Sequence, residues 1–576
     1  MVMHLQRVDE DEKAVEHLLR MHKIKGDIAD WLPGYKAELE SVIGRRCREV
    51  FGDEYARVLK HCKIVKLRMN PEPKKNGRRK MRLLLKGYME PQDWTGKSDS
   101  PTAMASSIKM LISMGVDPDD KDIVIMDDDV VSAGDIETAF LVCDEYGPDE
   151  IPRWIGYKPY PGAKLRIFQL KGPLYGQRDA SYRWWESISE WLMSRGFLRS
   201  HNDKCMFFNP ETRMRLGIHV DDIIARGSNR QTKLFWADLA TKYSLKMVET
   251  VDYDNPLVYT GYTIGKVLRG DTQWYTMDMA SDITAFMVDV NMNGSRKVTA
   301  PMPYKHELTS DLNGVSEQEH KWFRSVMGSL QWYAQSRYDI SYEVSRIAQY
   351  CAKPTQGAMK ALRRLLGYLN TTKDKQLMVP RVRGNEWHMY SDSDHAGDTE
   401  AGTSRSHTGV MIMLNGMPVH WRSTKQPKTS LSSAEAEIYA MSTAVKDART
   451  RLWIAEELNL KVEWPLVLHV DNAAGESFQH STCGSTKLKG VFGLHHDWVQ
   501  ELKNEDIVHT VHIDTHKNLA DMLTKGLSAE VRSNLEKCLS DIAEAVATGS
   551  SKVVEANANS SNKVAKEKGS IRRAAK

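Results

Sequence analysis

The chain has 576 residues, 41% of them hydrophobic, which is enough for several buried cores and about three or four domains. No run approaches the roughly 18 apolar residues of a membrane span, and the polar start (Arg7, Asp9, Glu10, Asp11, Glu12, Lys13) has no signal-peptide core, so neither a membrane nor a secreted protein is expected. Seven scattered cysteines without a C-x-x-C spacing argue against a disulfide or zinc framework and for an intracellular protein, cytoplasmic or nuclear, while the net charge of +4 is too small to define a partner.

Residues 1–39 read as a polar, helical N-terminal extension. From Lys63 to Gly87 ten basic residues face one acid, Glu72, on an expected hairpin turning at Lys75-Asn76-Gly77-Arg78, and charge of that density suits phosphates. Short apolar strands alternate with helices through residue 265, giving an α/β or α+β unit. Within it, Gly217-Ile218-His219-Val220-Asp221-Asp222-Ile223-Ile224 reads as a tight hairpin turn carrying two carboxylates. Residues 266–382 become largely helical, with apolar stripes such as Trp322, Val326, Leu330 and Tyr333. Residues 383–540 form a further α/β unit. Its clearest hairpin turns at Asn415-Gly416, with a type I′ turn expected, and its helix opens on the capping box Ser432-Ser433-Ala434-Glu435. Residues 541–576, rich in Ala, Ser, Asn and Lys, are expected to be a disordered tail.

Asp135 stands in Gly134-Asp135-Ile136-Glu137-Thr138-Ala139-Phe140, ahead of the Asp221-Asp222 turn. Three such carboxylates can hold two Mg2+ ions about 4 Å apart for nucleotidyl transfer. These segments, with Leu170-Lys171-Gly172-Pro173-Leu174-Tyr175-Gly176, Trp184, Lys80–Gly87, Met327-Gly328-Ser329-Leu330 and Arg337-Tyr338-Asp339-Ile340-Ser341, resemble in order and spacing the reverse transcriptase of Ty1/copia-type LTR retrotransposons. The resemblance implies that Asp135, Asp221 and Asp222 are metal-binding catalytic carboxylates, that Phe140 is the gate against a ribose 2′-hydroxyl, and that Arg82 and Lys86 touch incoming triphosphate. Two departures from the family's pattern stand out. His219 stands where Tyr is usual, and Asp179 and Ser181 occupy a segment that usually carries Gln and Pro. A carboxylate at position 179 facing a nucleotide would repel its phosphates.

A second series, Tyr390-Ser391-Asp392-Ser393-Asp394, Leu431-Ser432-Ser433-Ala434-Glu435-Ala436-Glu437, Val470-Asp471-Asn472 and Asn518–Lys525, resembles the same family's ribonuclease H domain. It implies Asp392, Glu437, Asp471 and Asp521 as ligands of two more Mg2+ ions, with Mn2+ as a substitute. Glu435 reads as a helix-capping acid, and His512 and His516 are not taken as zinc ligands. The resemblance therefore implies a right-hand polymerase (fingers and palm 40–265, thumb and connection 266–382) followed by an RNase H-like domain with a mixed sheet. The implied partners are an RNA template, a DNA primer, an RNA–DNA hybrid, deoxynucleoside triphosphates and other Pol or Gag products. The implied activity is RNA-directed DNA polymerisation with RNA degradation. The competing readings are a decayed remnant that binds nucleic acid and a protein with ribonuclease H activity alone. Neither an Asp-Thr-Gly or Asp-Ser-Gly protease motif nor an integrase-type His/Cys module is recognised, so the chain is expected to be the C-terminal portion of a Pol polyprotein.

Overall fold

The computed structural model describes residues 2–73, 77, 79–94, 96–117, 128–302, 308, 311–398, 404–462, 464–471 and 491–550. Helices α1 (Val2–Met21) and α2 (Ile28–Leu39) lead into β1 (Cys47–Glu49), α3 (Gly52–His61), β2 (Ile64–Pro73) and β3 (Arg79–Leu85). β2 and β3 pair antiparallel from Leu67–Leu85 to Pro73–Arg79, so the basic segment is a hairpin. Its turn residues Lys74, Lys75, Asn76 and Arg78 lie outside the described residues. The N-terminal helices are not an appended extension. Ala14, Val15, Leu18, Trp31 and Tyr35 are buried with Leu67, Met69, Met81 and Leu83 in one apolar cluster, because the acids and lysines fill only the outer face of each helix.

The chain continues through α4 (Ala105–Ser113), β4 (Asp129–Ile136), β5 (Trp154–Tyr157), β6 (Arg166–Leu170), α5 (Ala180–Ser194), β7 (Leu198–Arg199), β8 (Met206–Phe208), β9 (Arg215–His219), β10 (Asp222–Ser228), α6 (Asn229–Lys242) and β11 (Leu245–Thr250). The first sheet has the order β1-β6-β5-β2-β3 and lies in the segment expected to be fingers; the second, β11-β4-β10-β9-β8-β7, is in the position expected of the palm and is called the palm sheet below. The alternation of a strand places successive residues of β10 on opposite faces. Ile223 and Ala225 pack with Trp184, Trp191 and Phe235 from α5 and α6, while Ile224 joins Ile108 and Leu111 of α4. A sheet covered on both faces explains why β4 is buried along nearly its whole length.

Beyond the palm come β12 (Leu257–Tyr259), β13 (Tyr262–Arg269), β14 (Thr272–Asp278), α7 (Ala280–Asp289), α8 (Glu317–Tyr333), α9 (Ser341–Ala348), α10 (Gln356–Thr371) and β15 (Leu377–Pro380). The expected boundary at 265/266 cuts through β13, because β12-β13-β14-β15 form one antiparallel sheet on which the helices pack. The stripe expected of α8 is present: Val326, Leu330 and Tyr333 are buried, and Ser316 with Glu319 caps the helix reciprocally.

The C-terminal unit contains β16 (Trp387–Asp398), β17 (Arg405–Leu414), β18 (Met417–Lys425), α11 (Ser433–Glu457), β19 (Leu466–Val470), α12 (Val491–Asn504), β20 (Val508–His512) and α13 (Ala529–Thr548). Its sheet, β18-β17-β16-β19-β20, is mixed, with β16–β19 and β19–β20 parallel. Asn415 and Gly416 have φ of 50° and 80°, as a type I′ turn requires. A Cβ on Gly416 would lie 2.5 Å from Ala543 Cα, so α13 rests on this turn. The disordered tail expected from residue 541 is therefore corrected. Helix α13 runs to Thr548 because Ile542, Ala543 and Ala545 are buried, and Gly549, in the left-handed region, ends it. The described residues thus form a mixed α/β architecture of four sheets, the last of them the mixed sheet expected of the C-terminal unit.

Candidate active sites

The first acidic cluster sits at one edge of the palm. Asp222 opens β10 directly across from Asp135 on β4 and across from His219 on β9, leaving Val220 and Asp221 as the two-residue turn. Val220 has φ of +58°, a left-handed conformation that is strained for a β-branched residue. Two bonds hold it there: the Trp184 indole N–H donates to the Val220 carbonyl at 2.6 Å, and the Ile136 N–H donates to the Asp221 carbonyl at 2.9 Å.

Asp135, Asp221 and Lys246 line a cleft of about 890 Å3 whose opposite wall carries Arg79, Lys80 and Arg82 of the basic hairpin. Displacement of water, followed by Asp221 and Asp135 nearby, pushes the Asp222 carboxyl up to about 6. Asp221 is exposed yet lines the cleft, and partial desolvation there, with Asp135 nearby, raises its carboxyl too. Lys246 Nζ meets Asp135 at 2.8 Å. Burial lowers the basicity of His219. Phe140 stands edge-on to Tyr175 with ring centroids 5.4 Å apart, and the Arg82 guanidinium lies 5.2 Å from the Tyr175 ring. Tyr175 and Arg82 line the cleft, whereas Phe140, Lys86 and Asp222 are not among its lining residues.

Asp179 does not line that cleft. It is 1% exposed and sits between two arginines, bonded by Arg153 at 3.0 and 3.2 Å and by Arg183 at 2.8 Å. Asp129, at the far end of β4 from Asp135, is likewise structural. Arg226 and Arg381 hold it below its ordinary value against the upward push of burial.

The second cluster is built at one edge of the mixed sheet. β16 and β19 run parallel, with Tyr390 beside His469, and the same register two residues further on brings Asp392 beside Asp471. A short 3₁₀ turn, Leu519–Leu523, adds Asp521. It approaches because Gly409, opposite Asp392 on β17, has no side chain; a Cβ there would meet the Ala520 carbonyl oxygen at 2.6 Å. Carboxylate oxygens of Asp392, Asp471 and Asp521 lie within 4.8 Å of one another, and among the described residues no other three acids, histidines or cysteines gather so closely. His512 and His516 are not part of this group.

Glu437, buried in the first turns of α11, faces the same centre. Burial, followed by Asp392 and Asp471, raises its carboxyl far above the ordinary value. Burial and Asp392 push Asp521 up to about 8 despite Lys525, and the same two causes raise Asp471. Lys525 Nζ lies 3.0 Å from Asp521 and 3.7 Å from Asp392, and Thr524 donates its hydroxyl hydrogen to Asp392. Glu435 instead accepts the Leu431 N–H at 2.7 Å, as a capping acid does. Carboxylates that repel one another in a desolvated pocket, with a single lysine between them, form a donor set suited to hard divalent cations. Sequence reading did not single out Lys246 or Lys525, since a lone lysine carries no local signal; only the register reveals what each one faces.

Residues 60–303 match the reverse transcriptase (RNA-dependent DNA polymerase) family. The retrovirus-related Pol polyprotein from transposon RE2 of Arabidopsis thaliana is 27% identical over 470 residues, covering 80% of this chain and 30% of that protein. The transposon Ty1-LR2 Gag-Pol polyprotein of Saccharomyces cerevisiae is 25% identical over 473 residues, covering 79% and 26%. The chain thus spans less than a third of the length of these relatives. Among solved structures, a foamy viral protease-reverse transcriptase in complex with double-stranded DNA is 12% identical, covers 88% of this chain and 81% of that one, and has a TM-score of 0.44. LC11-RNase H1 in complex with an RNA/DNA hybrid is 18% identical, covers 27% and 99%, and has a TM-score of 0.20. With a reverse transcriptase domain at residues 60–303 and Pol relatives along about four-fifths of its length, the chain is a homologue of the Ty1/copia-type Pol polyproteins.

Proposed function

We propose that the chain is an RNA-directed DNA polymerase with ribonuclease H activity, using Asp135, Asp221 and Asp222 in the palm and Asp392, Glu437, Asp471 and Asp521 in the C-terminal sheet. The observation that carries this reading is the pair of acidic clusters, each at a sheet edge, in one chain. Asp135 faces Asp222 across a strand pair, and Asp392, Asp471 and Asp521 place oxygens within 4.8 Å of one another. When bound at these carboxylates, two Mg2+ ions per site would supply Lewis-acid activation of the attacking oxygen and charge stabilisation of the leaving one. The residues' own part is to orient and to screen. The basic wall of Arg79, Lys80 and Arg82 sets an incoming triphosphate opposite the acids. Tyr175, backed by Phe140, offers an aromatic surface against the sugar of that nucleotide. Trp184 keeps the Val220-Asp221 turn from relaxing. In the second site Lys525 and Thr524 hold the carboxylates of Asp392 and Asp521 in place. RNA template, DNA primer, deoxynucleoside triphosphates and the hybrid product are the partners in this reading. The seat of Asp179 between Arg153 and Arg183, away from the cleft lining, supports an intact polymerase over a decayed one.

Primer extension on an RNA template and release of RNA from a labelled hybrid, both with Mg2+, test the proposal. Asp221→Asn is expected to lower extension by ~10²-fold or more while leaving hybrid cleavage intact, and Asp471→Asn the reverse. Extension no greater than that of the Asp221→Asn chain would sink the polymerase reading, and cleavage indifferent to Asp471→Asn would sink the ribonuclease H reading.

A further inference from the structure

A half-open cavity of about 550 Å3 lies where the polymerase portion meets the C-terminal sheet, walled by α4, α8 and α9 on one side and by β18 and α11 on the other. Among the described residues its charged lining side chains are Lys109, Arg422 and Arg451, with His420 beside them and no Asp or Glu. Lys109 is 3% exposed, its Nζ donates to the Gln335 carbonyl at 2.6 Å, and it sits 3.6 Å from the centroid of the Trp421 ring. Arg422 forks onto Asp447, behind the wall, at 2.6 and 2.8 Å. Arg451 donates to the Asp447 carbonyl at 2.9 Å and to His420 Nδ1 at 3.1 Å, and its Nε is buried with no partner. That bond fixes the neutral tautomer in which His420 Nε2–H donates to Asp447 at 3.1 Å.

Of the three cations Lys109, Arg422 and Arg451, the Asp447 carboxylate therefore meets only the two arginines and does not reach Lys109. A buried cation without a counter-charge is unfavourable, and burial together with Arg451 already depresses the pKa of Lys109 well below its ordinary value. An anion entering the cavity reverses both penalties. Guanidinium and ammonium donors with the hydroxyls of Ser106 and Ser345 at the lining supply several donors of the kind that phosphate oxygens accept from. We infer that this junction cavity binds a phosphate group, with Lys109 and Arg451 as its principal partners. The group comes either from the backbone of a duplex running between the two acidic clusters or from free pyrophosphate; the first source rests on the proposed function above.

The test uses the full chain, Arg451→Gln, and Ser345→Glu, which keeps both cations and adds a carboxylate at the cavity. Anisotropy of a labelled RNA–DNA hybrid is followed across salt concentration, and thermal stability is followed with inorganic pyrophosphate. For a backbone phosphate, both variants bind hybrid roughly three- to tenfold more weakly, and the slope of log K against log salt falls by about one. For a free anion, pyrophosphate raises the melting temperature of the wild type and not of the variants. If the wild type binds no hybrid, the proposed function fails, and the pyrophosphate response alone decides the cavity. Folded variants that match the wild type in both measurements overturn the inference.

Discussion

Asp179→Asn tests whether the departure at this position is structural or a sign of a lost nucleotide site. The wild-type carboxylate is 1% exposed and accepts three bonds, two from Arg153 and one from Arg183. Removing one partner of a buried pair costs about 3–5 kcal/mol, mostly because the other charge is left uncompensated. Arg153 would keep the Tyr146 hydroxyl at 3.2 Å and a longer contact to Glu150 at 3.7 Å. Glu150 is one-third exposed, which caps that residual help near 1 kcal/mol or less. The expected loss is thus about 3 kcal/mol, a rise of ~10²-fold in the population that opens locally. Native-state proteolysis or amide exchange across β5 and β6 reads this opening, and steady-state kinetics on folded protein should show an unchanged KM for deoxynucleotide. Arg153→Met with Asp179→Leu, which removes both charges, should recover most of the stability. A stability change below about 1 kcal/mol accompanied by a lower KM for nucleotide would show instead that Asp179 faces the triphosphate, and the structural account would be wrong.

Gly409→Ala drives a Cβ to 2.6 Å from the Ala520 carbonyl oxygen, so the turn bearing Asp521 must shift; hybrid cleavage should fall by about tenfold or more with primer extension unaltered. Trp184→Phe keeps an aromatic side chain but removes the N–H that holds the strained Val220 turn, along with part of the buried indole volume. We expect a loss of about 1–2 kcal/mol together with a fall in extension and none in cleavage, and an unaffected extension rate would show that the turn needs no such brace. Burial, followed by His388, lowers His469 to about 3, so in the unfolded chain this ring takes a proton near pH 6.5 while in the native state it does not. Its contribution is complete above pH 6.5 and is lost as pH falls from 6.5 toward 3, reaching about 2 kcal/mol by pH 5. The raised acids, with Asp521 at about 8, act in the opposite sense, so the measurement is the difference between wild type and His469→Gln in melting temperature from pH 7.5 to 5. A difference independent of pH would refute the assignment.

How far the sites could be read from the sequence follows from the range of the forces that build them. The Val220-Asp221 turn, the Asn415-Gly416 hairpin and the Ser432–Glu435 cap are local, and each is formed by residues within a few positions of one another. The distinction between Glu435 and Glu437 was legible for the same reason: half a turn of helix sends one carboxylate back to the Leu431 N–H and the other toward Asp392. What could not be read depends on partners far along the chain. The role of Asp179 is set by Arg153, that of Asp129 by Arg381, and the order of residues 541–548 by the Gly416 turn on which an alanine-rich helix can lie close. Alanine composition alone suits a solvated tail equally well, because only the missing side chain of Gly416 makes the contact favourable. The N-terminal helices follow the same logic, since Trp31 and Tyr35 become core only when β2 and β3 supply the opposing Met69 and Met81.

The same long-range contacts join the two acidic clusters. One apolar core runs from Ile108 and Leu111 under the palm, through Leu330 and Leu362 of the helical segment, to Met411, Leu468 and Ile542 in the C-terminal unit. Buried ion pairs cross the junction as well. Arg532 of α13 bonds Glu343 of α9 at 3.0 Å and the Asp339 carbonyl at 2.6 Å, while Asp339 is itself forked by Arg337 at 2.8 Å. Separating the units would expose the shared core and break the buried Arg532–Glu343 pair together with the Arg532 bond to the Asp339 carbonyl. Exposed linkers that let domains drift lack both terms. The span between the acids of the second sheet and those of the C-terminal sheet is therefore fixed by packing, and a substrate engaging both must match that span.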